Sequence, residues 1–509
     1  MAGSARIDVA QLIAKIERLN AIGIALSHEP EQDRLLETIL LGAKELTDAD
    51  GGTLYTRQGE ELRFSLVRND TLGLAFGGPG RPAPPLPVVH LSDATHSVVA
   101  RAVVTGRTVN IPDVYAAVDF DFSGTRAFDA RNGYRSISFL TVPLRNHEGE
   151  VVGALQLINA RDREGKVESF TEADQRLVES LASQAATAIT KRELIDGMAR
   201  LFDSFIELIA TAIDEKSPYT GGHCRRVPEL TMALAEAAAN EGMMQWNEHD
   251  RYELKVAAWL HDCGKITTPE WVMDKATKLH GISDRIELVA ERFAGLRAQA
   301  ETACWRTIAE GGDRAAAERT LATTHAELTA DLAFLRQCNL GGEAMKPADQ
   351  ERVATLAARG WLTADEARNL TIARGTLLPE ERAIINGHMT ATLKMLDKLP
   401  FPKHLKRVPE YAGGHHERMD GKGYPRGLTR DQMSVPARIM GIADVFEALT
   451  AGDRPYKKAM KLSQALAILA RMATEGHIDP DLYRVFITHG VWKGYARTFL
   501  QPDQLDVPL

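Results

Sequence analysis

Cysteine is scarce. The chain has 4 cysteines in 509 residues, and Cys224, Cys263, Cys304 and Cys338 are widely separated, with no CxxC pair among them. That spacing argues against a disulfide framework and against a thiolate zinc site. Long apolar runs are missing too: no window comes near the ~18 consecutive apolar residues of a membrane helix, so no span is predicted. The N-terminal MAGSARIDVAQLIAKIERL alternates charges with apolar residues, so no secretory leader is expected and the cytoplasm is the expected location. A basic excess is lacking as well. With 61 Lys and Arg against 69 Asp and Glu, the net charge is −8. Polymeric DNA or RNA and anionic membranes are therefore not expected partners, whereas a small phosphorylated ligand in a locally positive site stays compatible.

What is present begins with length, which exceeds one core and suits two or three domains. Val9, Leu12, Ile16 and Leu19 recur at helical spacing and mark an amphipathic N-terminal helix. Residues 34–47 read as a second helix, with Asp50-Gly51-Gly52 as a turn after it. The runs GTLYTR, LRFSLVR, ISFLTVPL and VVGALQLIN read as strands, and Gly77–Pro87 as a loop too rich in Pro and Gly for either element. Strands separated by isolated helices predict an α+β domain around an antiparallel sheet. From Thr171 to Ile213 the pattern is helical and nearly uninterrupted. There Ile195, Met198, Phe202, Phe205 and Ile209 step by three and four, as in a coiled-coil seam. Two readings follow: a helix packed on its own domain, or a signalling helix joining two domains across a dimer seam. Beyond residue 214 strand signals almost vanish. Residues 281–375 are rich in Ala, Glu and Arg and are punctuated by glycines, which predicts a helical insertion of several short segments.

The chemistry-bearing residues cluster in this second half. Metal sites need several lone-pair donors on one point, and phosphoryl hydrolysis benefits from two cations close together. His261 and Asp262, read as lying on one helix, supply such donors, and the two Asp oxygens allow it to bridge two metals. Lys265, three residues on and on the same face, is placed to hold a phosphate oxygen or to protonate a leaving alkoxide. His415 and His416 precede a Gly-rich, Pro-stopped loop. Asp444 interrupts an apolar helical run, where an unpaired carboxylate would be costly. His388 and His223 are further candidates, although a lone histidine is more often a satisfied or surface one.

The segments HDCGK, HHERMDGKGYP and ADVFEALTAGDRPYKKA, in that order, resemble the HD-GYP family of metal-dependent phosphohydrolases, over about residues 203–280 and 376–485. The resemblance implies an all-helical domain with a metal centre acting on cyclic di-GMP to give linear pGpG and/or GMP. It implies His261, Asp262, His388, His415, His416 and Asp444 as metal ligands, with Asp262 bridging and Lys265 beside the scissile phosphate. Gly423, Tyr424 and Pro425 would border the substrate, and Arg454 would contact phosphate or guanine. Histidine and carboxylate donors without thiolate suit iron or manganese, with zinc compatible.

This sequence departs from the family pattern in three places. The insertion at 281–375 falls where the family has a short connection, and is either a lid over the site or a surface ornament. Glu447 replaces the usual Asp before Ala-Leu-Thr. Tyr219 stands four residues before His223, where members with a third metal place Glu. Two metals are therefore expected, with His223 near the substrate or as an additional ligand.

GALQLINA, SISFLTVPL and the closing SFTEADQRLVESLASQAATAI helix resemble a GAF domain. Asn159, Phe170 and Asp174 fit the signature of cyclic-nucleotide-binding members, while Ala160 and Gln175 depart from it. A cyclic nucleotide, another small ligand and a purely dimerising role all stay open. The expected organisation is thus an N-terminal helix (1–27), an α+β GAF sensor domain (28–175), a linking helix (176–213) and an all-α HD-GYP phosphodiesterase domain (203–509), as a homodimer. A mixed cyclic GMP–AMP substrate, or a catalytically silent cyclic-dinucleotide-binding module, are the competing readings.

Overall fold

The computed structural model describes residues 9–81, 86–217, 222–341, 344–452 and 459–509. Pro84, Tyr219 and Arg454 lie outside these residues. The chain forms two compact units, Met1–Leu201 and Phe202–Leu509.

The first unit opens with helices α1 (Val9–His28) and α2 (Gln32–Thr47). Strands β1 (Ala49–Gln58), β2 (Glu61–Asn69), β3 (Leu74–Phe76) and β4 (Val89–His90) follow. Helix α3 (Val98–Thr105), β5 (Val109–Ile111), α4 (Ser123–Asn132), β6 (Phe139–Arg145), β7 (Val151–Arg161) and β8 (Val167–Glu168) complete the α+β part, and α5 (Glu172–Lys216) follows, its residues as far as Leu201 belonging to this unit. Among the described residues the strands form one antiparallel sheet whose main path is β3-β2-β1-β7-β6-β5. One face packs Leu54, Leu140, Leu155 and Leu157 against Leu36 and Ile39 of α2 and against Leu181, Ala182 and Ala185 of α5. The small alanines let α5 approach closely.

Asp50-Gly51-Gly52 is not a turn. These residues lie within β1, and the reversal is made by Asp48, in the left-handed conformation at φ 50°. The glycines serve close packing instead: a Cβ on Gly52 would sit 2.8 Å from Leu40 Cδ1, and one on Gly51 2.9 Å from the Asn69 amide. The short strands β3, β4, β5 and β8 carry too few residues for a period-2 pattern to register.

The second unit is helical. After α5 come α6 (His223–Asn240), α7 (Glu248–Leu260) and the short α8 (Glu270–Met273). The insertion follows as α9 (Ile286–Ala309), α10 (Arg314–Asn339), α11 (Pro347–Ala358) and α12 (Ala364–Leu370). It is not a set of short segments only: α9 and α10 are long helices of 24 and 26 residues. Gly311 at φ 87° makes the turn between them. Val289, Phe293, Leu328, Leu335, Val353 and Leu356 give these helices a core of their own. The unit ends with α13 (Pro379–Leu396), α14 (Val408–Gly413), α15 (Val435–Thr450), α16 (Leu462–Thr474), α17 (Pro480–Thr488) and α18 (Val491–Phe499). Its main core joins Val227, Leu234, Leu254, Ala257, Ile442 and Phe446. Among the described residues no helix is long and apolar enough to cross a membrane.

On α5, Ile195, Met198, Phe205 and Ile209 of the sequence's seam are exposed, and Phe202 is partly buried against the second unit's core.

Candidate metal centre

His261 and Asp262 do not sit within a helix. Helix α7 ends at Leu260, and Asp262 opens a 3-10 turn, Cys263–Thr267. Gly264 presses that turn onto α13: a Cβ there would lie 2.0 Å from the His388 carbonyl oxygen and 2.5 Å from the Thr392 nitrogen. The Gly264 N–H donates to Thr392 Oγ1 at 2.9 Å. A second close approach brings α14 to α15. A Cβ on Gly414 would meet Ala437 Cβ at 2.7 Å, and one on Gly441 would meet the His415 carbonyl oxygen at 3.1 Å. Small residues at these crossings are what let His388, His415 and Asp444 reach the HD turn.

The side chains converge as two groups of four donors that share Asp262. One group is Asp262, His388, His415 and His416; the other is His223, His261, Asp262 and Asp444. Within each group the donor atoms all lie within 4.8 Å of one another. All six sequence-expected ligands are therefore gathered, and His223 joins them in the second group. His261, Asp262, His388 and His415 are 0–3% exposed.

Three of the rings are fixed alike. Nδ1 of His261 donates to the Ala258 carbonyl at 2.7 Å, Nδ1 of His388 to that of Ile385 at 2.5 Å, and Nδ1 of His415 to that of Ala412 at 2.7 Å. A carbonyl can only accept, so each Nδ1 carries the proton and each Nε2 turns a lone pair toward Asp262. His223 is held differently, by Glu447 Oε2 at 2.5 Å from Nδ1, with Arg226 Nε 2.7 Å from Glu447 Oε1. In the sequence Glu447 stands out only as a departure from the family's Asp, with no role attached to it. Its signal was available, since Glu447 lies three residues after Asp444 on the same helical face.

Asp262 Oδ1, His388 Nε2 and His415 Nε2 are buried without a hydrogen-bond partner among the described residues. Buried polar atoms are rarely left so, and this donor chemistry fits divalent cations. The electrostatics divide the groups. Burial raises the Asp262 carboxyl, but Lys265 and His261 hold it well below the carboxylate range. Burial, with His416 and His261 nearby, drives His415 well below the imidazole range, and burial takes His416 down to about 4. His223 goes the other way: burial would lower it, but Glu447, Asp262 and Asp444 lift it well above. Lys265, whose Nζ lies 2.5 Å from Asp262 Oδ2, is lowered by burial but raised further by Asp262 and Asp444.

The loop after His416 walls the site. Tyr424 stacks on His416, ring centroids 4.8 Å apart at 28°. Gly423 has no room for a side chain, its Cβ position being 2.4 Å from Glu417 Cα and the Arg418 nitrogen. Glu417 organises the turn around Pro425 by accepting from the N–H groups of Arg426 at 2.7 Å and Leu428 at 2.9 Å.

In the first unit, the expected ligand residues have structural partners. Asn159, at φ 57°, accepts from Ile137 N at 2.7 Å and donates to the Arg135 carbonyl at 2.8 Å. Phe170 is in the core, and Asp174 pairs with Lys15 at 3.2 Å and accepts from the Thr171 hydroxyl at 2.7 Å.

Comparison with known families agrees with this division. The GAF domain family matches residues 31–189, and two HD domain families match residues 220–333 and 306–482. The chain carries a GAF domain followed by an HD domain. The two HD matches overlap inside the helical insertion. Among curated proteins, the chain is similar to a 3′3′-cGAMP-specific phosphodiesterase 3 of Vibrio cholerae, 27% identical over 66% of this chain and 52% of that one. A 3′3′-cGAMP-specific phosphodiesterase 1 of the same organism is 45% identical over 22% of this chain and 25% of that one. A cyclic di-GMP phosphodiesterase of Pseudomonas aeruginosa is 41% identical over 26% of this chain and 32% of that one. The chain spans about half or less of the length of these relatives.

Proposed function

We propose that the HD domain is a metal-dependent phosphodiesterase that opens a cyclic dinucleotide, yielding linear pGpG and/or GMP where the substrate is cyclic di-GMP. The observation that carries this reading is Asp262, one buried carboxylate shared by two groups of histidine and carboxylate donors, with Nε2 of His388 and of His415 left without hydrogen-bond partners among the described residues. His388, His415 and His416 would hold one ion and His223, His261 and Asp444 the other, with Asp262 serving both. Bound there, two divalent ions would supply an activated water and neutralise charge on the phosphoryl oxygens. Iron or manganese suits the donors best, with zinc compatible.

The chain's own groups have distinct tasks. Lys265 keeps its proton and offers a cation to the phosphate beside the shared carboxylate. The three backbone-fixed imidazoles keep their lone pairs directed inward without reorganisation. Tyr424, stacked on His416, offers a face beside which a nucleobase can lie. The relatives' names support two substrates, cyclic di-GMP and 3′3′-cGAMP. A catalytically silent binding module is the less favoured reading, because binding alone does not call for the full donor set with Lys265.

The GAF domain is the proposed regulator, acting through α5. Leu194, Met198, Leu201, Phe205 and Leu208 are exposed at alternating four- and three-residue steps, the repeat of a two-stranded coiled coil. A second copy of the chain is the partner this stripe fits. Turnover of the full chain and of residues 203–509, measured with manganese and both dinucleotides, tests the assignment. Equal rates would remove the GAF domain as regulator, and no hydrolysis by a metal-loaded protein would remove the enzymatic reading.

A further inference from the structure

Where the insertion rejoins the HD domain, a cleft of about 430 Å³ opens between α12 and the start of α13. Its floor is apolar, with Ile372, Leu377 and Leu378, and three arginines line it: Arg368, Arg374 and Arg382. Arg368 is occupied by Glu380 at 2.7 Å. Among the described residues, neither Arg374 nor Arg382 has a carboxylate within ion-pairing distance. Gly375, at φ 74°, turns the chain between Arg374 and the start of α13, where Arg382 lies. The Arg382 guanidinium lies 3.6 Å from where a Cβ on Gly375 would be. That turn is anchored from the insertion and from the HD domain. The Ala373 carbonyl accepts from Met345 N at 2.8 Å, and the Thr376 hydroxyl donates to the Lys275 carbonyl at 2.9 Å.

The cleft shares helix α13 with the metal-centre residue His388. Arg382 precedes His388 on α13 by about 9 Å along the axis. A cyclic dinucleotide carries two phosphodiesters, of which one is cut at a time. The other keeps its negative charge, and two unpaired guanidiniums above an apolar floor match a phosphate with its attached nucleoside.

The geometry points to this cleft as the seat of the uncut phosphodiester, held by Arg374 and Arg382. The insertion then supplies part of the substrate site and is no surface ornament. This inference rests on the phosphodiesterase reading above.

The test is Arg374→Gln with Arg382→Gln in the full, manganese-loaded chain. Cyclic di-GMP is compared with bis(p-nitrophenyl) phosphate, which has a single phosphodiester. KM for the dinucleotide should rise on the order of ten-fold or more per arginine, with a much smaller loss on the small diester. Binding of cyclic di-GMP to the Asp262→Ala chain, measured by calorimetry, should weaken by a similar factor. Equal losses on both substrates, or none on the dinucleotide, would overturn the assignment. If the wild-type chain cuts the small diester but neither cyclic dinucleotide, the substrate reading itself fails and the inference falls with it.

Discussion

Glu447 holds His223 by its Nδ1 at 2.5 Å, whereas His261, His388 and His415 are each held by the backbone carbonyl three residues before them. The second donor group therefore depends on one side chain in a way that the first does not. Glu447→Gln removes the charge that opposes Arg226 and weakens the grip on His223. Metal content should fall from two ions toward one per chain, with activity down by roughly 10- to 100-fold. Elemental analysis of the purified variant checks it; full occupancy with unchanged turnover would refute the dependence.

Acidification should empty the two groups in order. Metal competes with protons, so a histidine whose pKa is raised resists metal at pH values where a depressed one does not. His223, lifted well above its ordinary value, is the proton-loving member of the second group. His415 lies well below, and His416 is near about 4, in the first. As pH falls, the ion beside His223 should leave before the ion held with His415 and His416. Dialysis at stepped pH followed by metal analysis reads the order. Simultaneous loss would contradict it.

Gly264→Ala places a methyl against the His388 carbonyl oxygen and the Thr392 nitrogen, both backbone atoms. The HD turn must lift from α13, at a cost of about 1–3 kcal/mol. Thermal unfolding with and without chelator should show a lower Tm and a smaller metal-induced stabilisation than in the parent.

Lys275 is buried, 2.8 Å from both oxygens of Glu381 and 2.9 Å from Asn369 Oδ1. It ties the segment before the insertion to α12 and α13. Lys275→Met strands a buried carboxylate and should cost about 3–5 kcal/mol, read as a shift in the denaturant midpoint. A shift near zero would mean that the pair is not holding the junction.

Much of the site could be read from the sequence because metal ligation restricts residue identity: few side chains can replace His261, Asp262 or Asp444 as donors. The neighbours that aim those donors were harder to see. Glu447 and His223 are 224 residues apart, so the bond between them exists only once α6 meets α15. Glycine misled in one place, because Gly51 and Gly52 provide close sheet packing rather than a turn. It guided correctly in another, marking the breaks between the insertion's helices. Arg374 and Arg382 gave no signal, since ordinary surface arginines look the same until the fold places both on one cleft.

The most direct measurement is hydrolysis of cyclic di-GMP and 3′3′-cGAMP by the manganese- or iron-loaded chain, beside Asp262→Ala. Turnover of at least one dinucleotide, reduced to background when the shared carboxylate is removed, is the predicted result. Turnover that survives Asp262→Ala, or none at all in a wild-type protein holding two ions, would contradict it.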